Sequence, residues 1–175
     1  MKSRPLSTEY ASYYEKYVSQ VPDGDILTIL RDQLVTVDEL FGRVAAKDEL
    51  FRYGPDKWTF REVAGHLIDA ERVFGLRAFC FSRGEQAPLP SFDENAYVGA
   101  GNSNDVSLRD LVAEFRAVRQ GNLHFLMHLS DAQWVLQGTA SGKTVTVRGL
   151  GWIMAGHVLH HCAILTERYH AALHS

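Results

Sequence analysis

Four stretches of this chain repeat apolar residues at steps of three and four, and that period constrains the fold more than any other feature. From Asp25 to about Ala46 the apolar positions are Leu27, Leu30, Leu34, Val37, Phe41 and Val44. Such spacing lines up side chains on one face of an α-helix, the seam of a helix that packs against other helices. A second helix is expected to start at Thr59-Phe60-Arg61-Glu62 and run to about Phe81. Thr59 and Glu62 form a capping box, in which each side chain satisfies a free amide at the helix start. Its stripe is Val63, Leu67, Ala70, Phe74 and Phe81, with His66 at the margin. A third begins at Ser107-Leu108-Arg109-Asp110 and carries Leu108, Leu111, Val112, Phe115, Val118, Asn122, Leu126 and Leu129. The last spans about Arg148 to His170, with Leu150, Ile153, His157, His161, Ile164 and Arg168 on its stripe. The fold expected is all-α, a four-helix bundle, with residues 1–175 as a single domain.

Between these helices the sequence is irregular. Tyr10, Tyr13, Tyr14, Tyr17, Val18 and Val21 suggest a short amphipathic helix, broken at Pro22-Asp23-Gly24-Asp25. Ser82 to Val106 is rich in Gly, Pro, Ser and Asn. A connection of that length is a crossover or a functional loop, and a crossover lets the second and third helices run parallel. Ser130-Asp131-Ala132-Gln133 is read as a capped turn, and Ser141-Gly142-Lys143 with Thr144–Val147 as an extended piece or small hairpin.

Composition narrows the function. The 175 residues carry 18 Lys plus Arg and 21 Asp plus Glu, a net charge of -3, with no basic block. That balance argues against a dedicated nucleic-acid binder. No apolar run is long enough to span a membrane. The opening Met1-Lys2-Ser3-Arg4-Pro5 lacks the apolar core of a secretory signal, so a cytoplasmic protein with reduced thiols is expected. Eight histidines stand against two cysteines, Cys80 and Cys162, far apart in the chain. A metal here would have to be held by imidazoles. Both cysteines are read as structural thiols; Cys162 turns away from His157 on its helix.

Three histidine pairs have the i, i+4 spacing that puts two imidazoles on one helix face: His124/His128, His157/His161 and His170/His174. Helix angles separate them. His124 and His128 fall on the polar side of their helix, and His170 and His174 at a terminus. His157 and His161 alone occupy the middle of an apolar stripe. Two neutral imidazoles buried one turn apart are either hydrogen-bonded core residues or ligands of a shared metal. Adding His66 gives three nitrogen ligands, the count of a catalytic site with one open position. His160, about 60° round the helix from His157, is either a group behind the ligands or a helix–helix contact. Asp69 and Glu71 follow His66 closely; Asp69 points away from the core stripe and is read as solvated or salt-bridged rather than ligating. Asp93, Glu94 and Tyr97 are candidates for the rim of a site, or else surface polar residues with Tyr97 as a packing anchor.

The stretch Lys57-Trp58-Thr59-Phe60-Arg61-Glu62-Val63-Ala64-Gly65-His66-Leu67-Ile68-Asp69-Ala70-Glu71-Arg72 resembles the DinB/YfiT-like metalloenzyme family. Gly156-His157-Val158-Leu159-His160-His161-Cys162-Ala163-Ile164-Leu165, the loop Pro90–Tyr97 and the opening Tyr13–Ile26 are similar to it as well. The resemblance implies an up-down-down-up bundle whose crossover is the Ser82–Val106 connection. It implies a metal site at His66, His157 and His161, holding zinc or nickel, in a protein that is often a homodimer. It implies a metal-dependent hydrolase or a thiol-dependent S-transferase acting on a small-molecule substrate; the family's activities include a mycothiol-dependent isomerisation. In such an enzyme the bound ion would lower the pKa of water or of a low-molecular-weight thiol at the open position. The alternative class is a non-catalytic, stress-linked binding module or a metal-sensing homodimer.

Overall fold

A computed structural model describes residues 3–173. Eight helices and one hairpin follow in the order α1 (Glu15–Val18), α2 (Ile26–Phe41), α3 (Phe60–Ser82), α4 (Glu94–Ala100), α5 (Leu108–Met127), α6 (Asp131–Trp134), β1 (Gln137–Ala140), β2 (Lys143–Thr146), α7 (Val147–Arg168) and α8 (His170–Leu173). The long helices α2, α3, α5 and α7 form the bundle expected from their apolar period. Each starts at a side-chain cap: Asp25 accepts from the Thr28 amide, Thr59 from Glu62, Ser107 from Asp110 and Thr146 from Gly149. These caps satisfy amides that the helix itself leaves free.

The order round the bundle is not the order in the chain. α3 packs against α5 and α7, and α2 also packs against α5 and α7, so the consecutive helices α2 and α3 face each other across a diagonal. The connection after α3 explains this. It first pairs with β1, the Leu89 amide donating to Thr139 O. It then doubles back along α3, and Asn104 ends against the α3 start, where its amide donates to Glu62 and its Oδ1 accepts from the Thr59 hydroxyl. α5 thus begins beside the beginning of α3 and runs parallel to it, the up-down-down-up arrangement. This connection is not a bare loop: it contains α4, capped by Asp93, and a 3-10 turn at Ser103–Asp105. Gly65 lets that turn approach, since a Cβ there would stand 2.1 Å from Ser103 Oγ.

Two expectations change. The N-terminal segment is no continuous amphipathic helix but two 3-10 turns and the four-residue α1. It is pinned from outside the helix register: the Arg4 guanidinium donates to Val18 O and Val21 O, and the Tyr17 backbone lies directly on α7. On α7 the apolar stripe is too narrow a description, because nearly every residue from Val147 to Val158 is buried. Arg168, placed on that stripe, is exposed, and Leu165 is the buried residue of the last turns. Among the described residues no helix is long and apolar enough to cross a membrane.

Among the described residues one ion pair is buried on both sides in the bundle interior. Arg119 on α5 is fully buried and grips Glu71 on α3 through two bonds of 2.7 and 2.8 Å. Its remaining nitrogen donates to Leu30 O and Gln33 Oε1 on α2, and Gln33 donates in turn to Ala155 O on α7. Asn122 adds a bond to Glu71. Removing one partner strands the other charge in a low-dielectric core, whereas removing both does not. Arg119→Leu is therefore expected to cost about 3–5 kcal/mol, and Glu71→Met with Arg119→Leu much less than the single change. Denaturant unfolding measures both; a single-variant loss under about 1 kcal/mol would contradict the account.

Candidate metal centre

His66 comes from the second turn of α3, and His157 and His161 come from successive turns of α7. α3 and α7 are bundle neighbours, so the three rings meet in the interior. One ring nitrogen from each lies within 4.8 Å of the other two, and all three residues are buried. His66 Nε2 and His157 Nε2 are 2.9 Å apart. The ring centroids are separated by 4.6 to 4.8 Å. Around one tetrahedral ion with bonds of 2.0–2.1 Å the nitrogens would stand about 3.3 Å apart, inside the range observed here.

Packing holds the rings in place. His66 Nδ1 is buried and has no protein hydrogen-bond partner. The His66 ring instead sits between Trp58 at 4.7 Å and Phe92 at 6.2 Å, the latter parallel to within 6°. Trp58 also stacks on His161. Tyr17 and Phe74 cover His157 edge-on at 5.5 and 5.9 Å. Gly156 makes this cover possible, because a Cβ there would stand 2.1 Å from Tyr17 O. The glycine before His157 thus lets α1 descend onto the cluster.

Burial sets the protonation states. It lowers the His66 pKa to about 4, with the nearby His160 adding to the effect. It lowers His161 to about 2, helped by His66 and His160, and holds His157 well below its ordinary value. All three are neutral at pH 7, with a lone pair free to coordinate, which is the form a divalent cation needs. The donor set therefore fits a metal that accepts imidazole nitrogen.

The cluster forms part of the wall of a cavity of about 810 Å³, which also reaches Tyr14, Arg77, Glu94 and the tip of the β1–β2 hairpin. His160 is half-buried on the same wall, 5.2 Å from His161 and 5.3 Å from Tyr17 between ring centroids, outside the three-nitrogen cluster. Glu94 lines the cavity, whereas Asp93 is spent capping α4 and Tyr97 packs its half-exposed ring on Phe92. Glu71 belongs to the Arg119 pair. His124, His128 and His170 are exposed, and His174 lies outside the described residues. Cys162 is kept as a thiol, burial raising its pKa to about 11. Trp58, Phe92 and Tyr17 shape the site without a local signal in the sequence beyond their aromatic type. Arg77 had a findable one: it lies eleven residues after His66, about 20° from it round the helix.

A buried cluster of three imidazoles inside a four-helix bundle defines the class, and the comparisons place it. The family model for the DinB superfamily matches residues 19–165, so the chain belongs to the DinB superfamily. Among solved structures the fold is similar to YfiT from Bacillus subtilis, described as a probable metal-dependent hydrolase with an unusual four-helix bundle topology. That match has a TM-score of 0.76 at 17% identity and covers 95% of this chain and 98% of YfiT. A mycothiol-dependent maleylpyruvate isomerase matches with a TM-score of 0.68 at 15% identity, over 83% of this chain and 61% of the isomerase. The DinB-like protein YjoA from Bacillus subtilis matches with 0.58 at 17% identity, over 82% of this chain and 87% of YjoA. No curated protein matches the sequence.

The histidine pKa values make a prediction about acid. Each folded-state value lies below the unfolded value of 6.5, so as pH falls the unfolded chain binds protons first. Stability of the metal-free protein should be complete above about pH 6.5 and decline steadily towards pH 4 and below. In thermal unfolding, His66→Gln with His161→Gln should flatten this acid limb; an unchanged limb would contradict the assignment of buried neutral histidines.

Proposed function

We propose that the protein is a metal-dependent enzyme in which His66, His157 and His161 hold one divalent ion, zinc or nickel, and that it acts on small molecules as a hydrolase or a thiol S-transferase. The observation that carries the reading is the convergence of three buried neutral imidazoles on the wall of a large cavity. A bound divalent ion would lower the pKa of a water or a thiol sharing the site and give a nucleophile at neutral pH. YfiT, a probable metal-dependent hydrolase, and the mycothiol-dependent isomerase support the two chemistries by analogy of fold.

The chain's own residues divide the remaining work. Trp58, Phe92, Phe74 and Tyr17 exclude bulk water from the ligand rings and fix their orientation. His160 is the remaining imidazole on the cavity wall, with its pKa lowered by burial and by Lys16 and Arg168. Neutral at pH 7, it takes the proton that the nucleophile gives up, on a ring nitrogen, and passes it to the leaving group. The same reading takes residues 1–175 as one domain acting in the cytoplasm and, on the family resemblance, as a homodimer.

Metal analysis of protein purified without chelator is expected to find about one ion per chain. His161→Ala should lose it. His160→Gln should keep it while lowering turnover by about 10²–10⁴-fold in a screen pairing glutathione, bacillithiol or mycothiol with an electrophile, beside an ester and amide panel. Protein that contains no metal and takes up neither Zn²⁺ nor Ni²⁺ would overturn the reading.

A further inference from the structure

Arg77 is a second buried guanidinium, and it differs from Arg119 in having no anion. The residue is 4% exposed, yet among the described residues no carboxylate pairs with it. The guanidinium donates to neutral acceptors, Pro90 O at 2.9 Å and Ser141 Oγ at 3.1 Å. Tyr14 faces it as well, and the guanidinium opposes the rise that burial causes in the phenol pKa. A cation withdrawn from water without a counter-charge costs several kcal/mol, so a fold that keeps one beside a cavity has a use for it.

Its position supplies the use. Arg77 and His66 share one face of α3, three turns apart. The Phe74 ring stands between the metal centre and the guanidinium, 5.9 Å from the His157 ring and 5.9 Å from the guanidinium carbon. The His157 ring and the Arg77 guanidinium, both on the cavity wall, are therefore no more than about a dozen ångström apart, with Phe74 in contact range of each. Of the charged residues lining the cavity other than histidine, Lys16, Arg77 and Lys143 are cationic and Glu94 alone is acidic. The hairpin tip that brings Ser141 and Lys143 there is a two-residue turn with positive φ at both Ser141 (53°) and Gly142 (69°). That is the twist a tight hairpin demands, and it places a non-glycine residue in a costly conformation where its hydroxyl meets Arg77.

We infer that Arg77 is a specificity-determining residue that binds a carboxylate of the substrate, so that the site takes elongated organic acids with the reacting atom at the histidines and the carboxylate at the guanidinium. A guanidinium fork matches a carboxylate with two parallel hydrogen bonds, and an apolar middle suits Phe74 and Tyr14. The inference deepens the proposed function by naming the substrate class of its site. The carboxylate belongs either to the thiol or to the second reactant.

The test uses binding, which needs no turnover. By calorimetry on the purified metal-loaded protein, hexanoate should bind at least about tenfold more tightly than hexanol, and Arg77→Gln should abolish that preference while leaving metal content unchanged. ω-Mercaptohexanoate should bind more tightly than hexanoate if the thiol carries the carboxylate; equal affinity assigns it to the second reactant. His161→Ala should remove the gain from the thiol but keep the hexanoate preference, so a failed metal reading leaves this inference standing. Arg77→Lys, which keeps the charge but loses the fork, should retain part of the preference and serves should Arg77→Gln fail to fold. Equal affinity of the wild type for hexanoate and hexanol, or a preference undiminished in both Arg77 variants, would overturn it.

Discussion

The ion pair of Glu71 and Arg119 sits where all four long helices meet, and the position of the metal centre depends on it. A charge pair in a dry core adds little net stability over a hydrophobic replacement, because desolvation offsets attraction. What it adds is register. Arg119 ties α5 to Glu71 on α3 and to Leu30 and Gln33 on α2, and Gln33 reaches Ala155 on α7. Glu71 follows His66 by little more than a turn, and Ala155 precedes His157 by two residues. A slide of α3 against α7 by one turn would break these bonds and separate the three histidines. The polar network therefore fixes the two helices whose meeting makes the site, and apolar packing alone would tolerate more than one arrangement.

The centre itself is built by the opposite means. Its histidines meet one another at His66 Nε2 and His157 Nε2 and are otherwise ordered by rings, with Trp58, Phe92, Tyr17 and Phe74 closing round them. These neighbours come from the segment before α3, from the crossover, from α1 and from α3. Apart from α3, the covering elements are short and irregular, and each is held by what it lies on. Burial keeps the imidazoles uncharged, and the lost basicity is offset when a cation uses the lone pairs. The cavity beyond them is lined differently, with a positive end at Arg77.

Much of the frame was legible because it is written in local chemistry. Thr59 with Glu62 and Ser130 with Gln133 announce their helix starts by capping boxes that the structure contains. Leu30, Leu34 and Val37 face the core as their spacing requires. His66, His157 and His161 stood out by helix angle, and the fold brings them together. What escaped depends on distant partners. Arg119 has no place in the apolar stripe of its helix, and the partners that hold it inward, Glu71, Leu30 and Gln33, all lie far away in the chain. Val18 and Tyr17 have an amphipathic look, yet their segment bends where α7 and Arg4 hold it. α4 is a seven-residue helix whose sole strong signal is the Asp93 cap. On α7 the period fades because Gly149, Gly151 and Gly156 admit neighbours on the side that a stripe would leave to water.

The central claim is that three imidazoles from α3 and α7 bind one ion in a site open to a further ligand. X-ray absorption at the edge of the bound metal tests it most directly. The expected first shell is nitrogen or oxygen at about 2.0–2.1 Å with the outer-shell scattering of three imidazoles, and no sulfur until a thiol is added. A shell with fewer imidazoles, or one dominated by carboxylate or cysteine sulfur in the thiol-free protein, would contradict the account.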